Sequence, residues 1–111
     1  MSSTTVTLLP NGEVNVHEFE PNFVDGDRIA QAVGGYFEVL SCGRVVLWFD
    51  ENGQQKGLNP NFNATMVGAS FRGQPIAELV GPVLITGISD EDGRTMGLTH
   101  DQVERILVLT R

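Results

Sequence analysis

The chain has little with which covalent or metal chemistry could fix it: one cysteine, two histidines, one tryptophan and one tyrosine in 111 residues. Cys42 is alone, so no intramolecular disulfide can form and an oxidising compartment gains no support. No run approaches the roughly 20 apolar residues needed to cross a bilayer, and no membrane association is expected. Met1 to Thr5 lacks the basic and apolar stretches of a secretion signal, so a soluble cytoplasmic protein is expected. Bases are scarce too. Arg28, Arg44, Lys56, Arg72, Arg94, Arg105 and Arg111 stand singly against 14 acids, for a net charge of −7. Binding to nucleic-acid phosphates needs a clustered basic patch, so it is not expected. Charged residues make up only 19% of the chain, below the usual value of about 25%. The negative charge therefore reflects missing bases rather than long arrays of acids, and a DNA-mimicking surface has little support. Six of the seven bases are Arg, a codon bias that points to a GC-rich genome.

What is present describes a folded domain. Hydrophobic residues reach 41%, and 13 glycines, about 12% against a usual value of about 7%, indicate many turns. The length suits one domain over residues 1–111, with 1–4 as a flexible tail, and suffices to bury roughly two-thirds of the unfolded surface.

Thr5 to Leu9 and Glu13 to Phe19 flank Pro10-Asn11-Gly12 and predict a β-hairpin. Val14 and Val16 share one face of its second strand. His17 shares the other with Asn15 and is expected at solvent or a sheet edge, with no second metal ligand beside it. Pro21 to Asp27 reads as a connector carrying helix-start chemistry in Asp25 and Asp27. The short helix that follows has Ile29, Ala30 and Val33 as its apolar stripe, and Gly34-Gly35 supplies its left-handed stop. Phe37 to Leu40 and Val45 to Phe49 are strands, and the second is apolar on both faces, so it should be central. Trp48 within it needs an acceptor for its indole N–H. Ser41-Cys42-Gly43-Arg44 is a turn between them, and Asp50-Glu51-Asn52-Gly53 is another.

Lys56 to Thr65 places Asn59, Asn61 and Asn63 at alternate positions around Pro60 and Phe62. Asn both donates and accepts, so this loop can hold a polar ligand or cap the turn that follows. Asn63-Ala64-Thr65 has the form of a glycosylation acceptor, without meaning in a cytosolic chain. Ala64 to Ser70 predicts one or two helical turns. Ile76 to Val80 and Pro82 to Ile88 form an apolar segment interrupted by Gly81-Pro82, which points to a bulge or an edge position. Ser89 to Arg94 lacks the spaced ligands and closing Glu of a calcium loop and reads as an acidic turn. Thr99-His100-Asp101-Gln102 is a capping box opening a final helix with Val103, Ile106 and Leu107 as its stripe. These elements make an α+β domain, a mainly antiparallel sheet with two or three short helices, the last C-terminal.

Across nearly the whole length, an ordered set of segments resembles a known family. These are Ala32 to Val39 with Gly34-Gly35-Tyr36 at its centre, Phe49-Asp50-Glu51-Asn52-Gly53, Leu58 to Thr65, Ile76, and Val80-Gly81-Pro82-Val83-Leu84. Together they resemble the domain of unknown function 3846, with Gly68 to Gln74 standing as an insertion against its pattern. The resemblance implies a small protein of bacteriophages, plasmids or actinobacteria, acting as a phage or mobile-element accessory protein in the host cytoplasm. It brings no activity or cofactor with it. It directs attention to Tyr36, Glu38, Asn59, Asn61 and Asn63 as candidate binding residues. Gly34, Gly35, Trp48, Gly53, Gly81 and Pro82 are read as structural.

The leading functional expectation is a non-enzymatic binding module that modulates a host protein or defence system, its acidic surface suited to a basic partner site. The alternative is a protein that sequesters a nucleotide-like small molecule between the Asn-rich loop and the Gly-Gly turn. An enzyme is not expected: Glu18, Glu38, Asp50 and Glu51 could pair as carboxylates, but nothing in their spacing brings them together. No metal or cofactor is expected, and the open edges of a small sheet allow a homodimer.

Overall fold

Two antiparallel hairpins follow from alternating apolar residues joined by tight turns. In the computed structural model, which describes residues 3–20 and 23–111, β1 (Ser3–Leu8) pairs with β2 (Val14–Phe19), Val6 opposite Val16 and Leu8 opposite Val14. The Asn11 side chain holds the turn by accepting from the Glu13 amide at 2.9 Å. The second hairpin joins β4 (Phe37–Cys42) to β5 (Val45–Asp50). Between the two lie β3 (Phe23–Val24) and α1 (Gly26–Val33). After them come α2 (Phe62–Arg72), β6 (Val83–Gly87), β7 (Thr95–Met96) and the C-terminal α3 (His100–Leu109). The α+β expectation holds. A separate two-stranded sheet of β3 and β7 was not foreseen.

The main sheet runs β2-β1-β6-β5-β4, antiparallel throughout. This corrects the edge position expected around Gly81-Pro82: β6 is the middle strand of five. Pro82 stands one residue before β6, so its missing N–H removes nothing from the ladder. Ile76 to Leu79 form no strand, and Val80 makes only an isolated bridge to Pro60. The tail is shorter than expected, since Ser3 and Thr4 already pair with Phe19 and Glu18. Met1 and Ser2 of that tail, and Pro21 and Asn22 of the expected connector, lie outside the described residues.

Helices cover both faces. α1 lies on one, burying Ile29 and Val33 against Leu84, with Phe37 and Trp48 packed alongside. The Trp48 indole donates to Thr86 Oγ1 at 2.9 Å, and its ring meets Phe37 edge-on at 5.3 Å, so this half-buried aromatic pair has its polar atom satisfied. The opposite face carries the larger core, where Val6, Leu8, Leu47, Val83 and Ile85 meet Val67 of α2 and Ile106 of α3.

The caps are local chemistry. Asp25 accepts from the Arg28 amide at 2.8 Å to start α1, and Gly34 ends it in the left-handed region at φ 92°. Thr99 and Gln102 form the reciprocal capping box of α3. In α3, Ile106 is fully buried and Val103 packs beside it, while Leu107 is half-buried. α2 exceeds its expected one or two turns, with 11 residues ending at the Gly73 cap. Gly68 lowers its intrinsic propensity, yet a Cβ there would fall 2.6 Å from Ile76 Cδ1 and 3.0 Å from Leu47 Cδ2. The glycine lets α2 lie close on the sheet, and burial outweighs propensity. The insertion from Gly68 to Gln74 is thus the second half of α2 and its cap.

Candidate functional site

The register places Leu8, Val83, Phe49 and Glu38 in one row across the sheet. The end of the sheet beyond that row gathers the Tyr36 segment, the 51–57 turn and the start of α2.

Tyr36 follows the Gly34-Gly35 stop, and its carbonyl accepts from the Glu51 amide at 3.1 Å. The backbone is pinned while the side chain stands outside, 79% exposed. Beside it a shallow cleft of about 560 Å³ runs between one flank of α1 and the segment Gly35–Phe37. Gly26, Asp27 and Ala30 recur at helical spacing to form that flank, and Glu51 closes the far rim. Next to the cleft, Glu38 lines a smaller hollow of about 130 Å³ with Asp50, Glu51 and Glu78. Glu51 belongs to both. Tyr36 and Glu38 are therefore brought to one end of the molecule. Three of the four acids whose convergence the spacing left open share a hollow, while Glu18 lies on β2 at the far side of the sheet.

One of those acids is committed to the fold. Asp50 is buried, receives the Lys56 ammonium at 2.6 Å and accepts from the Asn52 amide at 2.8 Å. The hydrogen bond from Lys56, then that from the Asn52 amide, hold its carboxyl below the usual carboxylate value. A depressed folded pKa stabilises the fold above the unfolded value, and that contribution is lost as pH falls through the folded one. Asp50→Asn is expected to destabilise by about 1–2 kcal/mol at pH 7. Urea midpoints of the two proteins should converge in acid, and a gap that persists there would show that the loss is not electrostatic. Asp27, Glu38, Glu51 and Glu78 form no salt bridge among the described residues.

The asparagines divide. Asn61 is fully buried and caps α2: its Oδ1 accepts from the Ala64 amide at 3.1 Å, and its Nδ2 donates to the carbonyls of Leu8 at 2.9 Å and Gly81 at 2.8 Å. Its amide is fully used inside the fold and offers nothing to a ligand. Asn59 is exposed, and its carbonyl accepts from the Gly81 amide at 2.8 Å. Asn63 is half-buried in the first turn of α2 and lines a hollow against the Leu9–Gly12 turn. The Gly34-Gly35 turn contributes Gly35 to the Tyr36 cleft instead, so loop and turn do not share these hollows. Gly53 and Gly81 act as close-approach positions: a Cβ would lie 2.9 Å from Val80 at the first and 2.6 Å from Leu58 at the second.

Cys42 is buried at the end of β4, and burial pushes its thiol up despite the opposing Arg72 charge. His17 stands exposed on the edge strand β2, and His100 lies 3.7 Å from Glu104 on the solvent side of α3. Asp90 accepts from the amides of Asp92 at 3.0 Å and Arg94 at 2.8 Å, which fixes the acidic turn. Among the described residues no group of three or more His, Cys, Asp or Glu is placed to hold a metal ion, and no helix is long and apolar enough to cross a membrane.

Sequence reasoning missed Asp27 and Ala30 as site residues and took Glu51 for a turn residue only. The three-and-four spacing of Gly26, Asp27 and Ala30 was the available signal. It marks a helix flank without saying what the flank faces. No curated protein and no solved structure matches the chain. The family model described as domain of unknown function 3846 matches residues 4–110, almost the entire length, and the chain belongs to that family.

Proposed function

We propose that this protein is a non-enzymatic binding module that engages a host protein, as an accessory protein of a phage or mobile element in the host cytoplasm. One observation carries the reading: an apolar cleft with an exposed tyrosine on its lip is rimmed by carboxylates that form no salt bridge among the described residues. Tyr36, Phe37 and Ala30 offer apolar contact, while Asp27 and Glu51 flank it and Glu38 and Glu78 extend the negative field. Tyrosine is favoured at binding hot spots because it contributes large area with few rotatable bonds. The complementary partner is a protein segment with an apolar anchor between Lys or Arg residues, steered by a chain of net charge −7. Binding is favoured over catalysis by the state of the acids. Asp50 is locked by Lys56, and Glu38 and Glu51 stand in solvent rather than in an enclosed acid and base pair.

The test is an affinity pull-down of the tagged protein from actinobacterial lysate, followed by titration with the purified partner. Expected is one host protein at near-stoichiometric amount, with Tyr36→Ala weakening its binding by about tenfold or more. Glu51→Gln should slow association mainly at low salt. Enrichment that survives Tyr36→Ala unchanged would remove the cleft from the mechanism. A released small molecule with no protein partner would favour sequestration.

A further inference from the structure

α1 has a second flank, and the groove beneath it has the opposite electrostatic character. α1 packs mainly over the β4–β6 half of its sheet face, and on the β1–β2 half it meets Phe19 through Arg28. On that half Thr5 pairs with His17 and Thr7 with Asn15, all four side chains on the α1 side. Arg28, Gln31 and Ala32 overhang them at helical spacing, and the open groove between measures about 260 Å³. No Asp or Glu lines it, in a chain with 14 acids.

Three observations point to an anionic group. The Arg28 guanidinium stacks on the Phe19 ring at 3.7 Å and has no carboxylate partner among the described residues. Its fork of N–H donors is oriented by the ring and left available. Thr5 and Thr7 are largely buried, but their hydroxyls reach the groove and make no hydrogen bond among the described residues. Both are open to solvent in the groove, where a hydroxyl can donate to a solute oxygen. Gln31 and His17 add further N–H donors. Leu84 and Ala32 supply an apolar wall.

We propose that this groove binds the phosphate group of a small phosphorylated metabolite, with Arg28 as the charged fork, Thr5 and Thr7 as hydroxyl donors and the Ala32 and Leu84 wall against the organic part. The proposal is independent of the Tyr36 cleft, since the two sites use opposite flanks of α1. It is tested by titrating the 15N-labelled protein with inorganic phosphate and with ribose 5-phosphate, against chloride at matched ionic strength. Expected are saturable shifts of the Thr5, Thr7, Gln31 and Arg28 resonances with both phosphates. Ribose 5-phosphate should bind more tightly and also move Ala32 and Leu84. Arg28→Ala should weaken binding by about tenfold or more, and Thr7→Val, which preserves shape, should weaken it with the spectrum otherwise folded. Equal shifts with chloride would overturn the site, as would phosphate binding unchanged in both variants. Tighter binding of inorganic phosphate than of the ester would overturn the metabolite assignment. Tyr36→Ala should leave these titrations unaltered, which separates failure here from failure of the protein-binding reading.

Discussion

Asn61→Ala is expected to lower stability by about 2–4 kcal/mol, the sum of a lost N-cap and two buried carbonyls left without a donor. One side chain holds three parts of the chain together: the end of β1 through Leu8, the turn before β6 through Gly81, and the start of α2 through Ala64. Its own amide donates to the Leu79 carbonyl at 2.8 Å, so the backbone stays anchored after truncation and the loss belongs to the side chain. Asn61→Asp separates the contributions. It keeps the acceptor that caps α2 but turns a second oxygen toward the two carbonyls, so it should be at least as destabilising as alanine. Thermal melts of the three proteins decide the matter. For a domain near 100 residues this loss corresponds to a fall of about 8 °C or more. A stable Asn61→Asp protein would show that the cap dominates and the bracket between β1 and β6 does little.

Ile85→Ala is expected to cost about 3 kcal/mol, within the range for truncating a fully buried aliphatic side chain. Ile85 sits in the middle of β6, directly between Val6 of β1 and Leu47 of β5, with no exposed surface. Its neighbours belong to the two flanking strands and to helices on the same face, which limits how far the site can collapse around a cavity. Equilibrium urea unfolding provides the measurement, with a lower midpoint and an unchanged slope as the expected outcome. A strand at the sheet edge would lose less, because part of its side chain would already be in water. A loss below about 1 kcal/mol would therefore contradict the central placement of β6.

Elements defined by near neighbours were legible in the residues. The β1–β2 hairpin could be read from alternation around Pro10-Asn11-Gly12, and the interior position of β5 from its two-sided apolar pattern. The caps at Asp25, Gly34 and Thr99 with Gln102 act over three or four residues, and the structure has each of them. The need of Trp48 for an acceptor was legible as well, though not that Thr86 would supply it. For the site, Tyr36 and Glu38 lie at one end of the molecule in adjoining hollows, whereas Asn61 belongs to the interior.

The sequence by itself determined the fold class, the first hairpin and the strands of the second, the caps of α1 and α3, and a surface short of bases. Tertiary structure alone decided that β6 enters between the hairpins, that α2 runs three turns across Gly68, and which polar groups share a cavity. The physical reason is range. Periodicity and capping are written in residues a few positions apart, whereas a strand with one partner and a strand with two carry the same local pattern. The role of Asn61 rests on carbonyls 53 and 20 residues away. The two flanks of α1 differ in surroundings because one faces Tyr36 and Glu51 and the other faces Thr5 and Thr7, a difference that only packing against distant strands creates.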